Sequence, residues 1–495
     1  MRSSDRKTQG NEALGRAQKP DEAARGSQGM KPARPGGRRR ILYRVLGIVI
    51  ILAVVFSAEY VAQQCFDEVR LADYYRYDRK KLIEEGADVD MICVGASQIY
   101  HGCNPDVISQ EMGIGEVLDC ATASGQCDGG YYMLRDLLEH FSPKYVVLEL
   151  PWHKFLKKPD RSVERGSLLA ADCLPFADKL DYAIHCFRPY MYMNLFSMYR
   201  FGGNVSGISQ LVSNYRAKKA VAEGNWVDES ERSYRRNGFC WFDKSAAQGG
   251  LDTAVNLYSE DQIDPREREY LLKMYEMCRE KGIQVIWVTL PSSLSEIYGV
   301  ENFQAAINHS TEFAKETGCP YLNFCYWKGR EEVFPDTLYT DRQHLNGEGS
   351  VVFSKLLCQM IKKTLDGEDI SSFFYQDLEE MQADVHRIVA ARALAWNNEF
   401  GSVTVEASCY CNKDMVPEYR LLAVRKKEVL AQLGGWTTEH VFTIEKDEIP
   451  EKASLRLEVR QAGAGEAEAF VKKIEIAADI SVLQGGDPED AQEDI

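Results

Sequence analysis

Five short apolar runs, "VDMICVG", "EVLDCA", "YVVLELP", "IQVIWVTLP" and "CPYLNF", constrain the fold of this chain more than anything else in it. Between them lie segments whose apolar residues recur at helical spacing, such as "GGYYMLRDLLEHFSPK" and "ENFQAAINHSTEFAKETG". Strands too apolar to expose either face, alternating with helices, call for a parallel sheet covered on both sides. The expected fold class is α/β: a five-stranded parallel sheet with strands near residues 90, 119, 147, 287 and 322, flanked by helices. Helix signals support the alternation. In "DPREREYLLKMYEMCREKG", Asp264 and Glu267 are spaced as a capping box, Pro265 takes the first helical position and Gly282 marks the end. Asn346 is the expected N-cap of a final helix, "GEGSVVFSKLLCQMIKKTL".

The alternation fails over residues 155–256, where "HCFRPYMYMNLFSMYRFGG" is dense in aromatic and Met side chains. This reads as an insertion, either a cap over a site or a layer packed on the sheet edge. Beyond the α/β domain, expected at 64–367, the acidic segment 368–397 reads as a linking helix. "GSVTVEASCYC", "HVFTIEK" and "ASLRLEVRQ" then read as short alternating strands, a small all-β sandwich over 398–480 with an acidic tail at 481–495.

Near the start, "ILYRVLGIVIILAVVFSAEYVAQQ" holds no charge from residue 45 to residue 58. Extended to residues 41–63 it reaches the length of a transmembrane signal anchor. Arg38, Arg39 and Arg40 end a basic segment, residues 1–40, that is expected to be disordered and cytoplasmic. The positive-inside bias then puts the remainder outside the plasma membrane, as a single-pass protein. The whole chain of 495 residues carries a formal net charge of -16, which argues against a nucleic-acid partner. The 14 cysteines include no CxxC and no cluster with histidine, so no metal site is expected.

Ligands of a parallel sheet bind at the carboxyl ends of its strands. "VGASQIYHG" places Ser97 just past the end of the first strand, and a serine there needs a base and an acid to become a nucleophile. "LYTDRQHLNGEG" supplies both before the last helix: Asp341 and His344, three apart, so that one turn can present them to a single point. His101 is expected to serve a turn or face substrate. His153 with Trp152 reads either as facing the same cleft or, the simpler expectation, as an ordinary loop pair, and Asp119 as a hydrogen-bonding residue at the edge of the core.

At Gly95-Ala96-Ser97 and Asp341-Arg342-Gln343-His344 the sequence resembles the SGNH hydrolase superfamily, across residues 88–365. The resemblance implies Ser97 as nucleophile, His344 as base, Asp341 as its orienting acid, and the N–H groups of Ser97 and Gly125 as the oxyanion hole. The asparagine that the superfamily's third block contributes is absent, since "LELPWHKF" follows the third strand. With the anchor, this makes the chain look like the membrane-attached members that serve teichoic-acid D-alanylation and alginate O-acetylation. That likeness implies acyl transfer to a cell-envelope polymer beside a multi-spanning membrane O-acyltransferase, with no metal and no organic cofactor. The C-terminal strands resemble a triple-tyrosine type β-sandwich. A cell-surface carbohydrate esterase (a deacetylase) and a non-catalytic envelope scaffold are the alternatives.

Overall fold

The computed structural model describes residues 36–226, 232–245, 256–398, 400–426, 428–465, 470–474 and 476–477. Most of the basic leader and the whole acidic tail therefore lie outside the described residues. The chain divides into two compact units, Met1–Ala58 and Glu59–Ile495. What is described of the first unit is most of the helix Gly36–Cys65. Its stretch Ile41–Cys65 is long and apolar enough to cross a membrane, and side chains such as Ile41 and Ile51 are exposed.

The second unit is built on five strands, β1 (Val89–Gly95), β2 (Glu116–Ala121), β3 (Tyr145–Glu149), β4 (Gln284–Thr289) and β5 (Tyr321–Asn323). They lie in the order β2-β1-β3-β4-β5, and every pairing is parallel. Side chains alternate across such a strand. Ile92 and Val94 of β1 accordingly join one core layer with Leu134, Leu137 and Leu271, while Met91 and Cys93 join the opposite layer with Ile99, Phe353 and Leu357. The sheet is thus buried on both faces, and the strand order puts a switch point beside β1, where the next strands leave in opposite directions.

The helix Pro265–Glu280 begins as expected, with the Asp264 side chain accepting from the Arg266 N–H at 2.9 Å. Glu267 does not close a capping box. It instead accepts from the Cys127 N–H at 3.0 Å, satisfying an orphan donor at the start of the neighbouring helix Cys127–His140. Asn346 caps the last helix, Gly347–Leu365, by accepting from the Gly349 N–H at 2.9 Å.

The insertion contains the helices Asp160–Cys173, Phe176–Cys186 and Ile208–Ala222, and a hairpin of Arg232–Arg236 and Phe239–Phe242. The hairpin lies on the edge strand β2, where the Asp119 N–H donates to the Asn237 carbonyl at 2.8 Å, and so covers a sheet edge that would otherwise be open.

The C-terminal strands form two four-stranded sheets whose inner faces share one core, Val405 and Ala391 from one sheet and Leu421 and Leu457 from the other. The expected linking helix over 368–397 is a correction. Only Leu378–Ala383 forms an α-helix there, and Ala390–Asn397 is the first strand of the sandwich, antiparallel to Val403–Tyr410 from Ala390↔Tyr410 to Asn397↔Val403. The alanines of "AARALAWN" favour a helix in isolation, but a partner strand and a buried face outweigh that preference.

Candidate active site

β1 ends at Gly95, and its lack of a side chain is what lets the next turn form. A Cβ there would come within 2.5 Å of the Glu149 Oε2 and of Ile99. The same Glu149, at the end of β3 and 1% exposed, accepts from the Ala96 N–H at 2.6 Å. This bond fixes the backbone immediately before Ser97, the first residue of the short helix Ser97–Gly102.

The structure brings Ser97, His344 and Asp341 together. Ser97 Oγ lies 2.7 Å from His344 Nε2, and His344 Nδ1 lies 2.9 and 2.8 Å from the two Asp341 oxygens. A carboxylate can only accept, so the ring carries its proton on Nδ1 and offers the Nε2 lone pair to the serine hydroxyl. Burial raises the Asp341 pKa, but the charge and ring N–H of His344 and the backbone N–H groups of Gln343 and His344 outweigh it, and the carboxyl is held well below its usual range. The acid therefore stays ionised and fixes the tautomer of its histidine.

Residues far apart in the chain hold this geometry. Gln98 Nε2 donates to the Gln343 carbonyl at 3.0 Å, tying the nucleophile helix to the base loop. His101 does not face substrate. It is 3% exposed, with its ring 3.8 Å from that of Phe242 and 4.5 Å from that of His344, and so supports the base from behind. Glu296, 1% exposed, accepts from Gln343 Nε2 at 2.7 Å and from Trp152 Nε1 at 3.2 Å, joining the base loop to the loop after β3.

Gly125 sits directly against the segment before Ser97: a Cβ on it would lie 2.9 Å from the Gly95 carbonyl oxygen and 3.3 Å from the Ala96 Cα. Its N–H, however, donates to the Thr122 carbonyl at 3.2 Å, within a turn that Ser124 enters at a φ of 52°. The second oxyanion donor expected from the sequence is thus engaged in its own turn. On the loop after β3, His153 has a buried Nδ1 with no hydrogen-bond partner. Burial first, then Lys158, Lys154 and His344, push its pKa down to about 3. This leaves a neutral imidazole on the loop that lacks the third-block asparagine.

Cys93, Cys103 and Asp119 are the residues that could hold a metal among those described, with their ligand atoms within 4.8 Å of one another and all three buried. Asp119 is fully buried at the edge of the core, its carboxyl beside Cys93 and its N–H on the Asn237 carbonyl. Burial, and then Cys93, raise its pKa well above the carboxylate range. The neutral carboxyl and two core thiols that result are a poor cation site.

The arrangement supplies a nucleophile, a base of defined tautomer and an ionised orienting acid at the carboxyl end of a parallel sheet, the parts required for acyl transfer through a serine ester. No protein-family model matches the chain, and no curated protein matches its sequence. Among solved structures, a protein assigned as an acylhydrolase from Bacteroides fragilis is similar at 14% identity, covering 60% of this chain and 100% of its own, with a TM-score of 0.28. A GDSL-like lipase from Bacteroides thetaiotaomicron is similar at 13% identity over the same shares, also with a TM-score of 0.28. A protein assigned to the G-D-S-L lipolytic family from Desulfitobacterium hafniense is similar at 11% identity, covering 55% of this chain and 99% of its own, with a TM-score of 0.27.

Proposed function

We propose that this chain is a membrane-anchored, extracytoplasmic serine acyltransferase of the SGNH type, passing an O-acyl or D-alanyl group to a cell-envelope polysaccharide or teichoic acid. The observation that carries the reading is the line from Ser97 Oγ through His344 to Asp341, with contacts of 2.7 to 2.9 Å. His344 Nε2 takes the proton of Ser97 as Oγ bonds to the acyl carbonyl carbon. The oxyanion is received by the Ser97 N–H, with the Gly125 N–H as the second donor that the resemblance implies. As the tetrahedral adduct collapses, the leaving oxygen takes the proton from His344 and the acyl group stays on Ser97. An acceptor hydroxyl then gives its proton to His344, attacks the serine ester and leaves acylated. No step requires a metal or an organic cofactor.

Water in place of the polymer hydroxyl would make the same site an esterase, and the His344 side chain, 18% exposed, is within reach of solvent. The test pairs two measurements. In cells, Ser97→Ala is expected to abolish polymer acylation while the protein remains folded and membrane-bound. With the purified full chain and a p-nitrophenyl ester, added polymer is expected to accelerate turnover and to become acylated. Unchanged acylation in the Ser97→Ala cells overturns the reading. Turnover that ignores the polymer, with loss of acetyl groups from acetylated polymer, assigns the site to an esterase.

A further inference from the structure

The helix Ile208–Ala222 buries two polar side chains beside Val221 and leaves apolar ones exposed. Asn214 and Lys218 on one side are each 8% exposed, while Ile208, Val212 and Tyr215 on the other are 80%, 42% and 46% exposed. A surface helix of a water-soluble domain turns its apolar stripe toward the core. Here the buried polar pair is used to hold the start of the folded unit: Asn214 Nδ2 donates to the Cys65 carbonyl at 3.0 Å, and Lys218 Nζ to the Gln63 carbonyl at 2.9 Å. A third bond, from the Ser197 N–H to Glu59 Oε1 at 2.8 Å, attaches the short helix Ser197–Phe201, on which Met198 and Tyr199 are exposed. On the helix Phe176–Cys186, Phe176, Leu180 and Ile184 are exposed at four-residue spacing as well, while Tyr182, Ala183 and Cys186 face the core. Exposed large apolar side chains in this number on one insertion mark a candidate interaction face.

We propose that this face of the insertion, Met198–Tyr199 with the stripe of Ile208, Val212 and Tyr215, lies in the lipid interface of the bilayer as a second, peripheral membrane contact. The proposal rests on reading Ile41–Cys65 as a membrane span. Three features single out lipid as the occupant. The exposed helices are hydrogen-bonded to residues 59–65, the part of the folded unit joined directly to the apolar span. Tyr60 and Val61 on that same stub are exposed, so the apolar surface continues along the chain toward Ala58. The face also mixes Tyr and Met with aliphatic side chains, the composition that settles at the level of lipid headgroups. The insertion's helix Asp160–Cys173 presses Gly166 against the Ser124 carbonyl, next to Gly125.

The experiment uses the full chain in phosphatidylcholine nanodiscs doped with a phospholipid carrying a diazirine on its acyl chain. After irradiation, labelled peptides are mapped by mass spectrometry. Label is expected both in residues 41–58 and in residues 190–215, and the double variant Ile208→Glu with Val212→Glu should lose at least tenfold of the second while keeping the first. Reaction of Ser97 with a fluorophosphonate verifies that the variant is folded. Label in 41–58 without label in 190–215 overturns the proposal and leaves a protein as the cover of this face. Label in neither segment overturns the membrane-span reading and the proposal with it.

Discussion

Single side chains decide how well Ser97 is aimed, and one of them, Glu149, was invisible to local pattern. Glu149 stands in an apolar strand where a carboxylate has no obvious purpose, and its partner, the Ala96 N–H, is 53 residues away. Glu149→Ala should leave the triad side chains in place but free the turn before Ser97. We expect kcat on a small ester to fall ~10-fold to 10²-fold with KM little changed, as misplacement of a reacting group by about an ångström does. A steady-state comparison of Glu149→Ala with Glu149→Gln checks this, the amide retaining an acceptor and recovering most of the rate. His153 gives a prediction of different kind. Its folded pKa of about 3 lies below the ordinary histidine value, so the unfolded chain binds the extra proton first as the solution is acidified. Stability should therefore decline as pH falls from ~6.5 toward 3, by up to ~1.4 kcal/mol per unit from this one group. His153→Asn should flatten that decline in denaturant melts. A decline of equal slope in His153→Asn would exclude His153 as its source.

Elements set the positions that those residues refine. Ser97, Asp341 and His344 were legible because each pair of signals is local: glycine then serine at a strand end, and an acid three residues before a histidine. The five strands were legible for the same reason, since each is apolar throughout and punctuated at both ends. What escaped was pairing that depends on distant register. Glu267 caps a helix that begins 140 residues earlier, and Ala390–Asn397 becomes a strand because Val403–Tyr410 lies beside it. Helix against turn supplies the test at this scale. Gly166 packs so closely on the Ser124 carbonyl that a methyl group cannot fit without moving the backbone of one of them. Gly166→Ala should push the helix Asp160–Cys173 off the turn that holds Gly125, destabilising the fold by ~1–3 kcal/mol as overpacking does. Because the turn abuts the segment before Ser97, ester turnover should fall as well. Thermal melts and turnover measured on the same preparation check both halves. A Gly166→Ala protein of wild-type stability and activity would mean that the helix does not brace the turn.

At the scale of the whole molecule, the C-terminal sandwich packs on the α/β domain beside the loops that hold the site. The sandwich begins within the same apolar cluster as Trp152 and Leu294, so Ala390 packs near the residues that carry Glu296 and, through it, the base loop. Arg392 pairs with Glu301 at 2.7 Å and Tyr410 stacks on Tyr298 at 4.4 Å, which binds the sandwich to the α/β domain beside the helix Leu294–Gly299 that carries Glu296. The sequence could place a β-sandwich after the α/β domain but had no means of showing that it supports the catalytic edge, because the contacts arise only once both parts have folded. All of this depends on Ser97 being a nucleophile. Treating the purified full chain with a fluorophosphonate and locating the adduct by mass spectrometry tests that most directly. The account predicts one adduct per chain, on Ser97, abolished in Ser97→Ala and reduced at least ~10²-fold in rate in His344→Ala, where the general base is gone. An intact chain that reacts at another serine, or not at all, contradicts it.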